Sequence, residues 1–185
     1  MCLQAPCRST TPTTRETQTP GRLYRYDTDL SVRLRRRGSG AAPTASGTAS
    51  TTIRCTTSIP TPTSIDAYDY DINTGDIANR RKLAPVQAPL VPDGQTVDEE
   101  GCIWLAVWEG GCVKRFSPNG ELLQTIELPT ARTTSVMFGG PDLDEIYVTS
   151  AGGDDKANRG PHAGALFRIR AGVKGRPENL SRLGL

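Results

Sequence analysis

From residue 65 onward the apolar positions fall in short runs separated by turn residues, and no run reaches the length of a confident helix. Ile65-Asp66-Ala67-Tyr68-Asp69-Tyr70-Asp71 alternates, with aromatics on one face and acids on the other. That period of two predicts a half-buried strand. Asn73-Thr74-Gly75 predicts the turn, and residues 77–83 the returning strand. Val91-Pro92-Asp93-Gly94 reads as a turn or loop. Further strands are predicted over residues 102–108, 112–116, 122–128, 134–138, 145–149 and 165–170, with Gly110-Gly111 and Pro118-Asn119-Gly120 turning the chain. Strands this short and this regularly spaced point to an all-β sandwich, barrel or propeller and away from βαβ units.

A weak internal repeat narrows the choice. Residues 98–106 resemble residues 141–149: in both, an acidic turn leads into a strand with an aromatic at its centre, at an offset of about forty-three residues. Four strands in a period of that length make a propeller blade.

Upstream the texture changes three times. Residues 1–20 are rich in Thr and Pro at 8–20 and read as loop or disorder. Residues 21–32 carry one short strand, Leu23-Tyr24-Arg25-Tyr26, and an Asp-containing turn. Residues 33–64 hold no acid, and from Gly38 to Ser64 thirteen of twenty-seven residues are Ser or Thr. This composition predicts a disordered linker, because it has too little apolar surface to offset ordering entropy. The genetic code also permits residues 33–64 to be an out-of-frame translation: in a neighbouring frame the codons around Pro43–Gly47 can spell Ser-Asn-Gly-Ile-Gly.

Charge follows the same division. Residues 1–64 carry a net +6 and residues 65–185 a net −4. The cluster Arg33, Arg35, Arg36, Arg37 has neither a Lys-rich continuation nor interleaved aromatics, so it reads as a solvated basic run with no nucleic-acid partner. No apolar run is long enough to span a membrane and no secretory leader is legible, so a soluble, cytoplasmic protein is expected. The five cysteines fit neither a zinc site nor a disulfide framework; Cys102 and Cys112 are expected to be small buried hydrophobes, unpaired. His162, the lone histidine, falls in a loop and is expected at the surface. Trp104 and Trp108 are expected in packing. Asp142, Asp144, Asp154 and Asp155 read as exposed turn acids, and Gly139-Gly140 as turn glycines.

The segments IDAYDYDINTG (65–75), NRRKL (79–83), VPDGQTVDEEGCIWLAVWEGGCVKRFSPNGELLQTIELPT (91–130), TTSVMFGG (133–140), EIYVTSA (145–151) and HAGALFRI (162–169) together resemble the last blades of the regucalcin/gluconolactonase family. The resemblance covers roughly the last 120 residues and GRLYRYDTDLSV upstream. It implies a partial β-propeller, about three blades of a six-bladed fold, with a disordered N-terminal region. It implies hydrolysis of sugar lactones with a divalent metal, Ca²⁺ first and Zn²⁺, Mg²⁺ or Mn²⁺ as alternatives, which polarises the carbonyl and activates water. It places one residue of this chain, Asp93, as both metal ligand and acid/base group. The family's other two ligands, an early glutamate and the asparagine of a Ser-Asn-Gly motif, have no counterpart here, so impaired activity is expected. A non-catalytic calcium- or partner-binding propeller fragment, or a defective gene product, is the alternative.

Overall fold

The structure, a computed structural model, describes residues 22–37, 43–49, 52–57, 64–71, 73–154 and 156–177. Residues 1–20, expected as loop or disorder, lie outside these.

The described residues form thirteen strands and one 3-10 turn, Lys156–Arg159. Strands β1 (Arg22–Tyr26) and β2 (Val32–Arg37) pair as an antiparallel ribbon, as do β3 (Pro43–Ala49) with β4 (Thr52–Thr57), and β5 (Ser64–Tyr70) with β6 (Ile77–Pro85). β7 (Val91–Val97), β8 (Ile103–Trp108), β9 (Cys112–Phe116) and β10 (Leu122–Glu127) make a four-stranded meander. β11 (Thr133–Gly139), β12 (Glu145–Ser150) and β13 (Leu166–Arg170) make a three-stranded one. Every pairing is antiparallel. Where a linker was expected, three strands stand (β2, β3 and β4). Thr is β-branched and suits a pleated strand, which a reading based on apolar content alone misses.

β3, β7 and β11 each begin a sheet, and β7 lies between the other two. Sheets whose first strands gather along one line and fan outward have the arrangement of propeller blades. The repeat seen in the sequence falls accordingly: residues 98–106 lead into β8 and residues 141–149 into β12, each the second strand of its sheet.

Two apolar layers hold the sheets together. Ile103, Leu105 and Val107 of β8 face Ile65 and Ala84 of the β5–β6 ribbon. The opposite face of β8, Trp104 and Ala106, packs with Val136, Phe138, Ile146 and Val148 of the β11–β13 sheet. Trp104 is fully buried and meets Phe138 edge to face at 5.8 Å, an arrangement worth about 1 kcal/mol beyond its area. A strand buried on both faces reads as a continuous apolar run, which is why CIWLAVW lacks alternation.

Polar clasps reinforce these layers. Thr133 is completely buried; its hydroxyl accepts from Val107 N–H at 3.0 Å and lies within 2.8 and 2.9 Å of the Val107 and Cys112 carbonyls, tying β11 to the β8–β9 hairpin. At the far end, residues 174–175 bridge the sheets: Glu99 N–H donates to Lys174 C=O at 2.8 Å and Gly175 N–H to Leu143 C=O at 2.8 Å. Gly175 fits because a Cβ there would collide with Cβ and the ring of Phe138.

Candidate functional site

Asp93 lies inside a strand. The Pro92-Asp93-Gly94 triplet, expected as a turn, is the opening of β7. Pro and Gly are strong turn residues, yet both are also accommodated at bulges. The register runs Val91↔Trp108, Pro92↔Val107, then Gln95↔Leu105. Asp93 and Gly94 therefore stand together opposite Ala106. Two residues against one is a β-bulge, which bends the strand and re-aims a side chain.

Gly94 makes this geometry available. A Cβ at position 94 would sit 2.6 Å from Ser135 Cα, well inside van der Waals contact. The backbones of β7 and β11 thus meet at this level because position 94 has no side chain. The neighbouring strands share the irregularity: β3 breaks register between Thr44 and Ser46, and β11 between Thr133 and Ser135. Three adjacent first strands thus bulge near their starts, and Asp93 sits on the middle one.

The Asp93 carboxyl is half-buried, and burial pushes it up to about 6, partly opposed by the Gly94 N–H hydrogen bond. A carboxyl that changes charge just below neutrality suits proton transfer in either direction.

A second acidic cluster has a different purpose. The ligand atoms of Asp98, Glu100 and Cys102 lie within 4.8 Å of one another. Asp98 is completely buried and accepts from Cys102 N–H at 2.8 Å, Trp104 Nε1–H at 3.0 Å and Arg115 Nε–H at 2.8 Å. Arg115 Nη2 stands 2.7 Å from Asp98 Oδ2 and 2.6 Å from Glu100 Oε2. The guanidinium occupies the cation's place, so the cluster locks β7, β8 and β9 together. The sequence shows it only as an acidic turn; its partners, Trp104 and Arg115, are brought in by strand pairing.

Cys102 and Cys112 are buried and in no disulfide, and burial raises the Cys112 thiol above its ordinary range. His162 is exposed, its ring edge-on to Phe167 at 6.5 Å. Trp108 is half-buried with the Arg132 guanidinium 4.7 Å over its ring, and Arg132 also pairs with Glu109. Arg33 pairs with Asp27 at 3.1 Å. Among the described residues no helix is long and apolar enough to cross a membrane.

A divalent metal needs several oxygen ligands in one shell. Among the described residues, Asp93 belongs to no grouping of three or more His, Cys, Asp or Glu with converging ligand atoms. Among the described residues, Asp93 needs further oxygen ligands before it could hold a metal.

Comparison with known proteins places this geometry. The family model described as "SMP-30/Gluconolactonase/LRE-like region" matches residues 8–152, a reach further upstream than the segments quoted above. The pentonolactonase XacC of Haloferax volcanii is 41% identical over 174 residues, covering 89% of this chain and 60% of that protein. Regucalcin of Oryctolagus cuniculus is 48% identical over 120 residues, covering 62% of this chain and 40% of its own. Among solved structures, a calcium-binding protein, regucalcin, of Agrobacterium tumefaciens superposes with a TM-score of 0.71 at 29% identity, over 83% of this chain and 54% of that one. The chain thus spans between two fifths and three fifths of the length of these relatives. With a match over most of its residues and an all-β arrangement shared with six-bladed neighbours, the chain belongs to the SMP-30/gluconolactonase/LRE-like family.

Proposed function

We propose that this chain is the part of a six-bladed, sugar-lactone-hydrolysing ring that carries its acid/base carboxyl, Asp93, and that it supplies about three of the blades. The reading rests on the Asp93 carboxyl, raised to about 6 on a bulged strand at the line where the sheets converge. Its family membership and its likeness to a pentonolactonase support the substrate class, a small sugar lactone.

The chemistry follows from that group. Ionised Asp93 takes a proton from a water molecule as its oxygen attacks the lactone carbonyl carbon. The tetrahedral intermediate collapses by breaking the bond between that carbon and the ring oxygen. Protonated Asp93 then returns its proton to the departing ring oxygen. One water is added, the product is the open hydroxy acid, and the carboxylate is regenerated. A divalent metal, Ca²⁺ foremost, would require ligands beyond Asp93; when bound, it would polarise the carbonyl.

Opening of glucono-1,5-lactone, followed by proton release at pH 7.5 with and without added divalent metal, tests the reading. The expected result is turnover that Asp93→Asn lowers about 100-fold or more. An Asp93→Asn protein as fast as the unaltered chain would refute it. The second reading, a non-catalytic fragment, is favoured by one observation: among the described residues Asp93 belongs to no group of three or more His, Cys, Asp or Glu able to hold a metal. Absence of turnover under every metal condition would support that reading.

A further inference from the structure

The bulge on β11 sets Ser135 against Gly94, the residue that follows Asp93 on β7. Thr133 is consumed by its three contacts to the β8–β9 hairpin. Thr134 shares a 2.7 Å hydrogen bond with Thr149 across β12. Ser135, next in line, is exposed, and its hydroxyl makes no hydrogen bond among the described residues. It is also the residue that Gly94 abuts, 2.6 Å from a Cβ built there, and Gly94 adjoins Asp93. The two strands break register at this same level, β7 between Pro92 and Gln95 and β11 between Thr133 and Ser135. An exposed serine on β11 thus packs against the residue that follows Asp93 on β7.

Resting on the lactone-hydrolase reading, we propose that the Ser135 hydroxyl binds a ring hydroxyl of the sugar lactone and so holds its carbonyl beside Asp93. A serine hydroxyl both donates and accepts, and so does a sugar hydroxyl, so the pair suits a polyhydroxylated ring and offers nothing to a plain one. Ser135 is a binding and specificity residue; it exchanges no proton with the reacting atoms.

The test compares glucono-1,5-lactone with δ-valerolactone, which has no ring hydroxyls, on the unaltered chain, Ser135→Ala and Ser135→Thr. Circular dichroism confirms that the variants fold. Ser135→Ala is expected to raise KM for the sugar lactone about tenfold, with kcat within about twofold, and to leave δ-valerolactone unchanged; Ser135→Thr, which keeps the hydroxyl, should stay within about threefold throughout. Calorimetric binding of gluconate, the open acid, gives a readout that does not depend on turnover, and there Ser135→Ala should weaken affinity by a similar factor. Equal effects on both lactones, or none on either, overturn the proposal, as does failure of the unaltered chain to bind gluconate. If Asp93→Asn abolishes turnover while Ser135→Ala changes nothing, the lactonase reading survives and the Ser135 assignment falls.

Discussion

Asp93 and Asp98 are five residues apart on one strand and its extension, yet their surroundings give them opposite roles. Asp98 has donors on both oxygens and a guanidinium against it. Asp93 has a backbone N–H and a shortage of water, so burial dominates and raises its pKa to about 6. Stability should register the difference. Because the folded state holds the Asp93 proton more tightly than the unfolded chain, the cost of ionising it appears as pH rises from about 4 through 6. Asp93→Asn should therefore stabilise the protein at pH 7.5 by about 1 kcal/mol, after discounting for partial exposure, and leave it unchanged at pH 4. Urea denaturation at the two pH values measures this. Asp98→Ala strands the Arg115 guanidinium and should cost about 3 kcal/mol by the same method. In sequence neither role is visible at the residue itself: Pro-Asp-Gly reads as a turn and Asp-Glu-Glu as another, and only the family resemblance singles out Asp93.

Among the elements, hairpins were the most legible. Asn73-Thr74-Gly75, Gly110-Gly111 and Pro118-Asn119-Gly120 mark turns that the structure has, and the strands between them follow from β-branched and aromatic content. The bulges were not legible, because an extra residue in one strand is defined only against its partner. β7 was missed for that reason. β3 and β4 are hidden in the sequence because Ser and Thr are polar, although Thr is strand-forming. Two predictions belong at this scale. Gly94→Ala drives a methyl into the Ser135 backbone and should cost about 2 kcal/mol, with loss of lactonase rate, as β7 and β11 are pushed apart. Thr133→Val keeps the shape but removes the hydroxyl that joins β11 to the Val107 and Cys112 backbone. A loss of about 2 kcal/mol is expected, with Thr133→Ser close to neutral, both read from thermal unfolding.

In the molecule as a whole, β8 of the β7–β10 sheet is covered on both faces, whereas the last sheet has one apolar face packed inward and the other open. Met137 and Leu166 on that open face are 54% and 64% exposed. At the other end of the described chain, Tyr24 and Leu34 face each other across the β1–β2 ribbon, as do Tyr26 and Val32. All four are exposed. Uncovered faces at two places favour self-association. Met137→Lys with Leu166→Lys should shift sedimentation profiles towards the monomer without lowering thermal stability.

An acid/base role for Asp93 requires a carboxyl sheltered from bulk water. Titration of its carboxyl carbon by NMR, assigned by difference against Asp93→Asn, tests this directly. A midpoint near 6 is predicted; a midpoint at the ordinary aspartate value near 3.8 would mean a carboxylate in open water, and would contradict the account.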